Sequence, residues 1–120
     1  LNKSIINCEF QDDIRPYLAI SDSFIFPSYR EGFPNVILQA LSFNLPCIST
    51  DVNGVKEVIK DGLNSILIKK QDIHSLKKAI LEMLDKEYRE ILTHNCQKID
   101  LSKYDRLYVQ NYLLKFYKSL

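Results

Sequence analysis

The 120-residue sequence predicts an α/β fold, a three-layer domain in which a short parallel sheet of about four strands is flanked by helices. Three observations predict it. β-prone apolar runs alternate about four times with segments of helical periodicity, the pattern of strand–helix crossovers and parallel pairing. The run at residues 23–27 (SFIFP) is apolar almost throughout, as strands covered on both faces are. Turn formers such as Asn44-Leu45-Pro46 and Asp61-Gly62-Leu63-Asn64 separate the elements.

In chain order, residues 4–8 form a first short strand, and Asp12 and Asp13 offer an N-cap ahead of Ile14, with Pro16 tolerable in the first turn. After the strand at 23–27 comes a polar loop, Ser28-Tyr29-Arg30-Glu31-Gly32-Phe33-Pro34-Asn35, and then Val36, Ile37, Ala40 and Leu41 at helical spacing. Residues 46–50 (PCIST) read as the next buried strand, 54–59 as a short helix, 60–64 as a turn and 65–68 as another strand. Asp72 caps the clearest amphipathic helix, which places Leu76, Ala79, Ile80, Met83 and Leu84 on one face. Residues 1–102 thus form one α/β unit. Residues 103–120 form a helix with Tyr104, Tyr108, Tyr112 and Phe116 spaced four apart, and the expectation is that this stripe packs on another domain or subunit, because left in water it would invite association.

Bulk properties narrow the function. Sixteen Lys and Arg against fifteen Asp and Glu leave a charge of +1, so no global field draws the chain to nucleic acid or to an anionic membrane. No apolar run approaches the roughly 20 residues of a spanning helix. The start at Leu1 has no secretory pattern and no initiator Met, which reads as a fragment. Cys8, Cys47 and Cys96 are odd in number and far apart, which argues against disulfides or a zinc knuckle and for a reducing cytoplasm. His74 and His94 lack partners at ligand spacing and read as helix-surface residues, and no carboxylate cluster suggests a metal.

The chemistry concentrates in the loop that follows Phe26-Pro27. Ligands of parallel α/β sheets bind at the carboxyl ends of strands, and a helix opening near Pro34 or Asn35 turns unpaired N–H groups and a positive dipole end toward an anion such as a diphosphate. Gly32 permits close approach, and Pro34 has no N–H, so Phe33, Asn35 and Val36 are the backbone donors. Glu31 would repel phosphate but suits a neutral polyol, each charge-assisted bond contributing roughly 1.5–3 kcal/mol. Gln39, about one turn into the helix, carries an amide that could reach a ribose. On composition alone, a solvated loop acid and a helix-surface amide are the simpler reading of both residues.

The string PSYREGFPNVILQAL at residues 27–41 changes that balance. It resembles the signature of glycosyltransferase family 4, GT-B fold enzymes that include bacterial capsule, O-antigen and lipopolysaccharide sugar transferases. That signature is a glutamate followed by Gly-Phe and, after seven intervening residues, a second glutamate; Glu31, Gly32 and Phe33 match its first part. The likeness continues through Asp13-Ile14, Tyr17-Leu18-Ala19 and Ser21-Asp22, then Leu45-Pro46, Gly54-Val55, Glu57-Val58-Ile59 and Asp61-Gly62-Leu63-Asn64, and covers roughly residues 5–85.

The resemblance implies a partial Rossmann-like domain, the C-terminal donor-binding part of a GT-B enzyme. It implies Glu31 as the catalytic contact to hydroxyls of the transferred sugar. Arg30, Gly32, Phe33, Pro34, Asn35, Val36 and Gln39 would be the donor-binding positions, with the ribose at Gln39. The donor substrate would be a nucleoside-diphosphate sugar, a UDP-hexose or UDP-N-acetylhexosamine, with no metal and no further cofactor. The implied reaction is retaining transfer of a hexose to a glycan or lipid-linked acceptor in surface polysaccharide biosynthesis, by an enzyme in the cytoplasm, peripheral to the inner membrane. A missing N-terminal domain or a second subunit would cover the C-terminal helix, no nucleic acid is involved, and the 120-residue piece alone would be inactive.

Two departures stand out. Gln39 occupies the place of the second glutamate and loses its charge, and Glu9 stands where relatives have Gly, at a strand end near the base. The competing reading is a non-catalytic oligomerising module derived from such an enzyme. A GT-B-like sugar-nucleotide epimerase fits less well, since no acid/base pair is visible near the loop.

Overall fold

A computed structural model describes residues 4–28, 35–52 and 54–120, with Tyr108 described in its backbone alone. The elements are α1 (Arg15–Ala19), β1 (Phe24–Phe26), α2 (Asn35–Ser42), β2 (Cys47–Thr50), α3 (Val55–Val58), β3 (Ile66–Ile68), α4 (Ile73–Leu84), α5 (Lys86–Cys96) and α6 (Arg106–Lys118), with a short 3-10 turn at Ser102–Tyr104. The α/β class and parallel sheet agree with the sequence reading.

Among the described residues the sheet has three strands in the order β1-β2-β3, all parallel, rather than about four. The expected strand at residues 4–8 does not form: these residues pair with no strand in the sheet and are exposed, Ile6 at 83%.

Strand geometry sends alternate side chains to opposite faces and so divides the core in two. Phe24, Phe26, Cys47 and Leu67 join one cluster with Leu18 of α1, Ile37, Ala40 and Leu41 of α2, and Val55 and Val58 of α3. Ile48, Ile66 and Ile68 join the other with Ala79 and Met83 of α4 and Leu92 of α5. β2 lies between its two neighbours and is buried at all four positions. β1 departs from the expectation of two covered faces: α4 packs on β2 and β3, which leaves Ile25 42% exposed. Leu84, placed on the core face of α4 by its spacing, is exposed at the helix end for the same reason.

Local chemistry sets the boundaries. α2 stops where Asn44 adopts φ 60° and the Leu45 N–H reaches back to the Ala40 carbonyl at 3.1 Å, the left-handed C-terminal closure that Asn tolerates. Asp72, Asp85 and Asp105 cap α4, α5 and α6 by accepting from the N–H groups of Ser75, Tyr88 and Leu107. At α1 the expected cap differs in form. Ile14 is the capping position and has no side-chain cap bond, while Asp13 accepts from the Arg15 N–H at 3.0 Å and pairs with its guanidinium at 2.9 Å.

The C-terminal stripe is also rearranged. Tyr104 lies in the 3-10 turn ahead of α6, half-buried against the first core cluster, with its hydroxyl 3.4 Å from Glu57 Oε2. Tyr112 and Phe116 on α6 are exposed, together with Val109, Leu113 and Tyr117. Among the described residues no helix is long and apolar enough to cross a membrane.

Candidate functional site

The three parallel strands end level with one another. Phe26 pairs with Ser49, and Thr50 with Ile68, so Pro27, Thr50 and Lys69 stand at a common carboxyl edge. Ligands of open α/β sheets gather at such an edge, because strand-to-helix loops there carry free backbone groups. Here the loop leaving β1 leads to α2. The Thr50 Oγ1 donates to the Ser28 carbonyl, so the first residues of that loop are tied to the end of β2.

Of the site residues read from the sequence, Arg30, Glu31, Gly32, Phe33 and Pro34 lie outside the described residues. The other three are placed by α2. Asn35 is its first residue and is exposed; Val36 is half-buried and packs against the first core cluster; Gln39, four residues after Asn35, is exposed. A spacing of four puts Asn35 and Gln39 on one helical face, while Ile37, Ala40 and Leu41 hold the opposite face in the core, Ile37 with no exposed surface at all. Burial on one side therefore fixes the polar side outward. The first-turn N–H groups of α2 have no acceptor within the helix, as at any α-helix start. α2 has no acidic side chain in its first turn to compete for them. Glu9 is exposed, and its carbonyl accepts from the Gln11 side chain at 3.2 Å.

A cavity of about 430 Å³ opens at the same carboxyl edge. It is lined by Pro27, Thr50 and Ile68 at the strand ends, by Lys69, Gln71 and Asp72 of the β3–α4 connection, and by Ile73 and Leu76 of α4. Sequence reading missed Thr50, Lys69 and Gln71. Their signal was positional only, since each stands at or just past a strand that the sequence does predict.

Of the three cysteines, Cys8 is exposed and Cys47 and Cys96 are buried. Burial pushes the Cys47 thiol far above its ordinary range, with the neighbouring Cys96 adding to the shift, and burial pushes Cys96 up to about 11. Both stay protonated packing groups, poor nucleophiles by that measure. His74 and His94 are exposed on α4 and α5. Among the described residues no three His, Cys, Asp or Glu side chains stand together as a metal site would require.

Comparison with known proteins adds to this geometry. The family model for glycosyl transferases group 1 matches residues 1–86. The chain is 35% identical over 97 residues to the UDP-Gal:alpha-D-GlcNAc-diphosphoundecaprenol alpha-1,3-galactosyltransferase of Escherichia coli, covering 81% of this chain and 25% of that protein. It is 29% identical over 119 residues to the capsular polysaccharide biosynthesis glycosyltransferase CapM of Staphylococcus aureus, covering 98% of this chain and 31% of that one. The chain thus spans between a quarter and a third of the length of these curated relatives. Among solved structures, Alr3699/HepE of Anabaena in complex with UDP superposes with a TM-score of 0.82 at 23% identity, over 92% of this chain and 31% of that one, a likeness of fold.

Proposed function

Because the chain belongs to the glycosyl transferases of group 1, we propose that it forms part of the donor site of a retaining, family 4-type glycosyltransferase. That enzyme moves a hexose from a nucleoside-diphosphate sugar, a UDP-sugar foremost, to a glycan or lipid-linked acceptor in surface polysaccharide biosynthesis. One observation carries the reading: α2 opens at Asn35, the last residue of the Arg30–Asn35 string that follows β1, with Asn35 and Gln39 both facing outward on one face. The E. coli relative, whose name gives UDP-galactose as donor and a diphosphoundecaprenol-linked acceptor, supports the choice of nucleotide and acceptor class.

In this reading the leaving diphosphate lies against the first-turn N–H groups of α2, where the positive end of the helix favours developing negative charge. Glu31 accepts hydrogen bonds from hydroxyls of the transferred sugar and stabilises an oxocarbenium-like transition state as the diphosphate departs. Gln39 meets the ribose as a neutral hydrogen-bonding group. We place the reaction in the cytoplasm, at the inner-membrane surface where a lipid-linked acceptor would be presented.

The test is Glu31→Ala in the full-length enzyme, for which turnover should fall at least ~100-fold, the scale of losing one transition-state contact. Wild-type turnover in that variant would end the proposal. A second reading, an oligomerising module without turnover, draws on α6, where Phe116 is 53% exposed among other uncovered apolar groups. It requires a stable oligomer by light scattering and a melting temperature that UDP does not change. The enzyme reading requires UDP to raise that temperature.

A further inference from the structure

α6 leaves the body of the chain with little to hold it. Its described side chains are all exposed, and among the described elements the helix packs chiefly on the 3-10 turn at its own root. At about 1.5 Å per residue its 13 residues reach roughly 20 Å, so a swing of about 15° at the root carries the far end about 5 Å. The direction of α6 is therefore decided at Ser102–Tyr104.

That turn is stiff in itself. The Asp100 carboxylate accepts from the Ser102 N–H at 2.9 Å and from its hydroxyl at 2.6 Å. The N–H groups of Tyr104 and Asp105 donate to the Leu101 and Ser102 carbonyls, each at 3.0 Å, and the Asp105 side chain caps α6 through the Leu107 N–H. Turn and helix thus form one piece.

Side-chain packing joins this piece to the body. Leu101 and Tyr104 lie half-buried against the first core cluster, and the Tyr104 hydroxyl donates to Glu57 Oε2 on α3 at 3.4 Å. Tyr104 is the last residue before α6 to reach that cluster. α3 is itself fastened down: Val55 and Val58 are buried, and Lys56 pairs at 3.0 Å with Asp51, the residue after β2. Glu57 therefore offers Tyr104 a fixed point.

We propose that Tyr104 is a pin that sets the direction of α6. Seated on the first core cluster and bonded to Glu57, it holds the helix in one direction; released, it lets turn and helix swing together. The pin decides where Val109, Tyr112, Leu113 and Phe116, exposed at spacings that share one face of α6, are presented. It does not depend on the glycosyl-transfer reading.

The experiment measures a distance within the 120-residue chain by double electron–electron resonance. Spin labels stand at Gln110→Cys on α6 and Lys77→Cys on α4, both exposed, with Cys8→Ser in the background and the buried Cys47 and Cys96 left in place. The starting chain should give one dominant distance. Tyr104→Phe and Glu57→Ala remove the same hydrogen bond, and each should raise the weight of a second, broader population about threefold, the low end of what one such bond supplies. Their global melting midpoints should stay within about 3 °C of the starting chain, because only the root opens. A lowered midpoint with an unchanged distance distribution would make Tyr104 a packing residue and overturn the pin. A starting chain whose distribution is already as broad as that of both variants would overturn it too.

Discussion

The hydroxyl of Thr50 donates to the backbone carbonyl of Ser28, which fastens the end of β2 to the point where β1 runs out into the segment leading to α2. Thr50 is itself buried and lies opposite Ile68 in the sheet. The bond therefore ties a fully buried central strand to the base of that segment, which the proposed donor site needs to be held still.

Thr50→Val keeps the side-chain shape and removes the donor. The expected cost is about 1 kcal/mol of stability, read from urea unfolding, because one intramolecular hydrogen bond is lost. UDP affinity should fall several-fold as the loop base loosens, and Thr50→Ser should restore it. A Thr50→Val chain that binds UDP as tightly as the wild type would show that the loop does not depend on this tie.

Asn64 closes the turn between α3 and β3, buried at 3% exposure. Its Oδ1 accepts from the Lys60 N–H at 3.0 Å, and its Nδ2 donates to the Val58 carbonyl at 3.2 Å. Asn64→Ala removes both bonds at once, one buried and one part-buried. The loss should be about 2–4 kcal/mol, since each buried group left unpaired costs roughly 1–3 kcal/mol. Leu63→Ala, one residue earlier on an exposed side chain, should stay within about 0.5 kcal/mol. Equal effects of the two variants in denaturant titrations would contradict the assignment.

Asp13 supplies a pH dependence. Its hydrogen bonds from the Arg15 side chain and backbone hold the carboxyl at about 2, below its ordinary 3.8. A folded-state value below the unfolded one means the contribution is present in full above pH 3.8 and disappears as pH falls through about 2. Asp13→Asn should thus melt lower than the wild type at pH 5, with the gap closing toward pH 2. The pair is exposed, so the gap is small. A gap that stays constant down to pH 2 would mean that the ionised carboxylate is not what secures the start of α1.

The sequence made the fold legible where local pattern and burial agree. Ile37, Ala40 and Leu41 are at helical spacing and all three are buried; residues 46–50 read as a buried strand, and 47–50 form one; Asp72 reads as a cap and accepts from Ser75. It misled where covering elements decide. Ile25 and Leu84 carry core-like side chains, but nothing in their own neighbourhood of sequence reveals that α4 packs mainly on β2, β3 and α5 and leaves both exposed. The site divides in the same way. The outward placement of Asn35 and Gln39 was legible because α2 buries the face opposite them, whereas Thr50 ends β2 and Lys69 and Gln71 share the β3–α4 connection, and strand register brings these two segments to one cavity.

Gln39 offers the most direct test of the donor geometry. It is exposed on the outward face of α2, four residues after Asn35, and stands where the family 4 signature has a carboxylate. Gln39→Glu keeps length and shape and adds charge. A carboxylate accepting from two ribose hydroxyls forms stronger bonds than an amide oxygen, by about 1 kcal/mol, so the donor KM in the full-length enzyme should fall about three- to tenfold. Ribose contacts are made alike in the ground and transition states, so kcat should stay within about twofold. The melting temperature without nucleotide should not move, because an exposed helix position tolerates either side chain. A donor KM that is unchanged or higher in Gln39→Glu would place the ribose elsewhere and break the link between this face of α2 and the nucleotide.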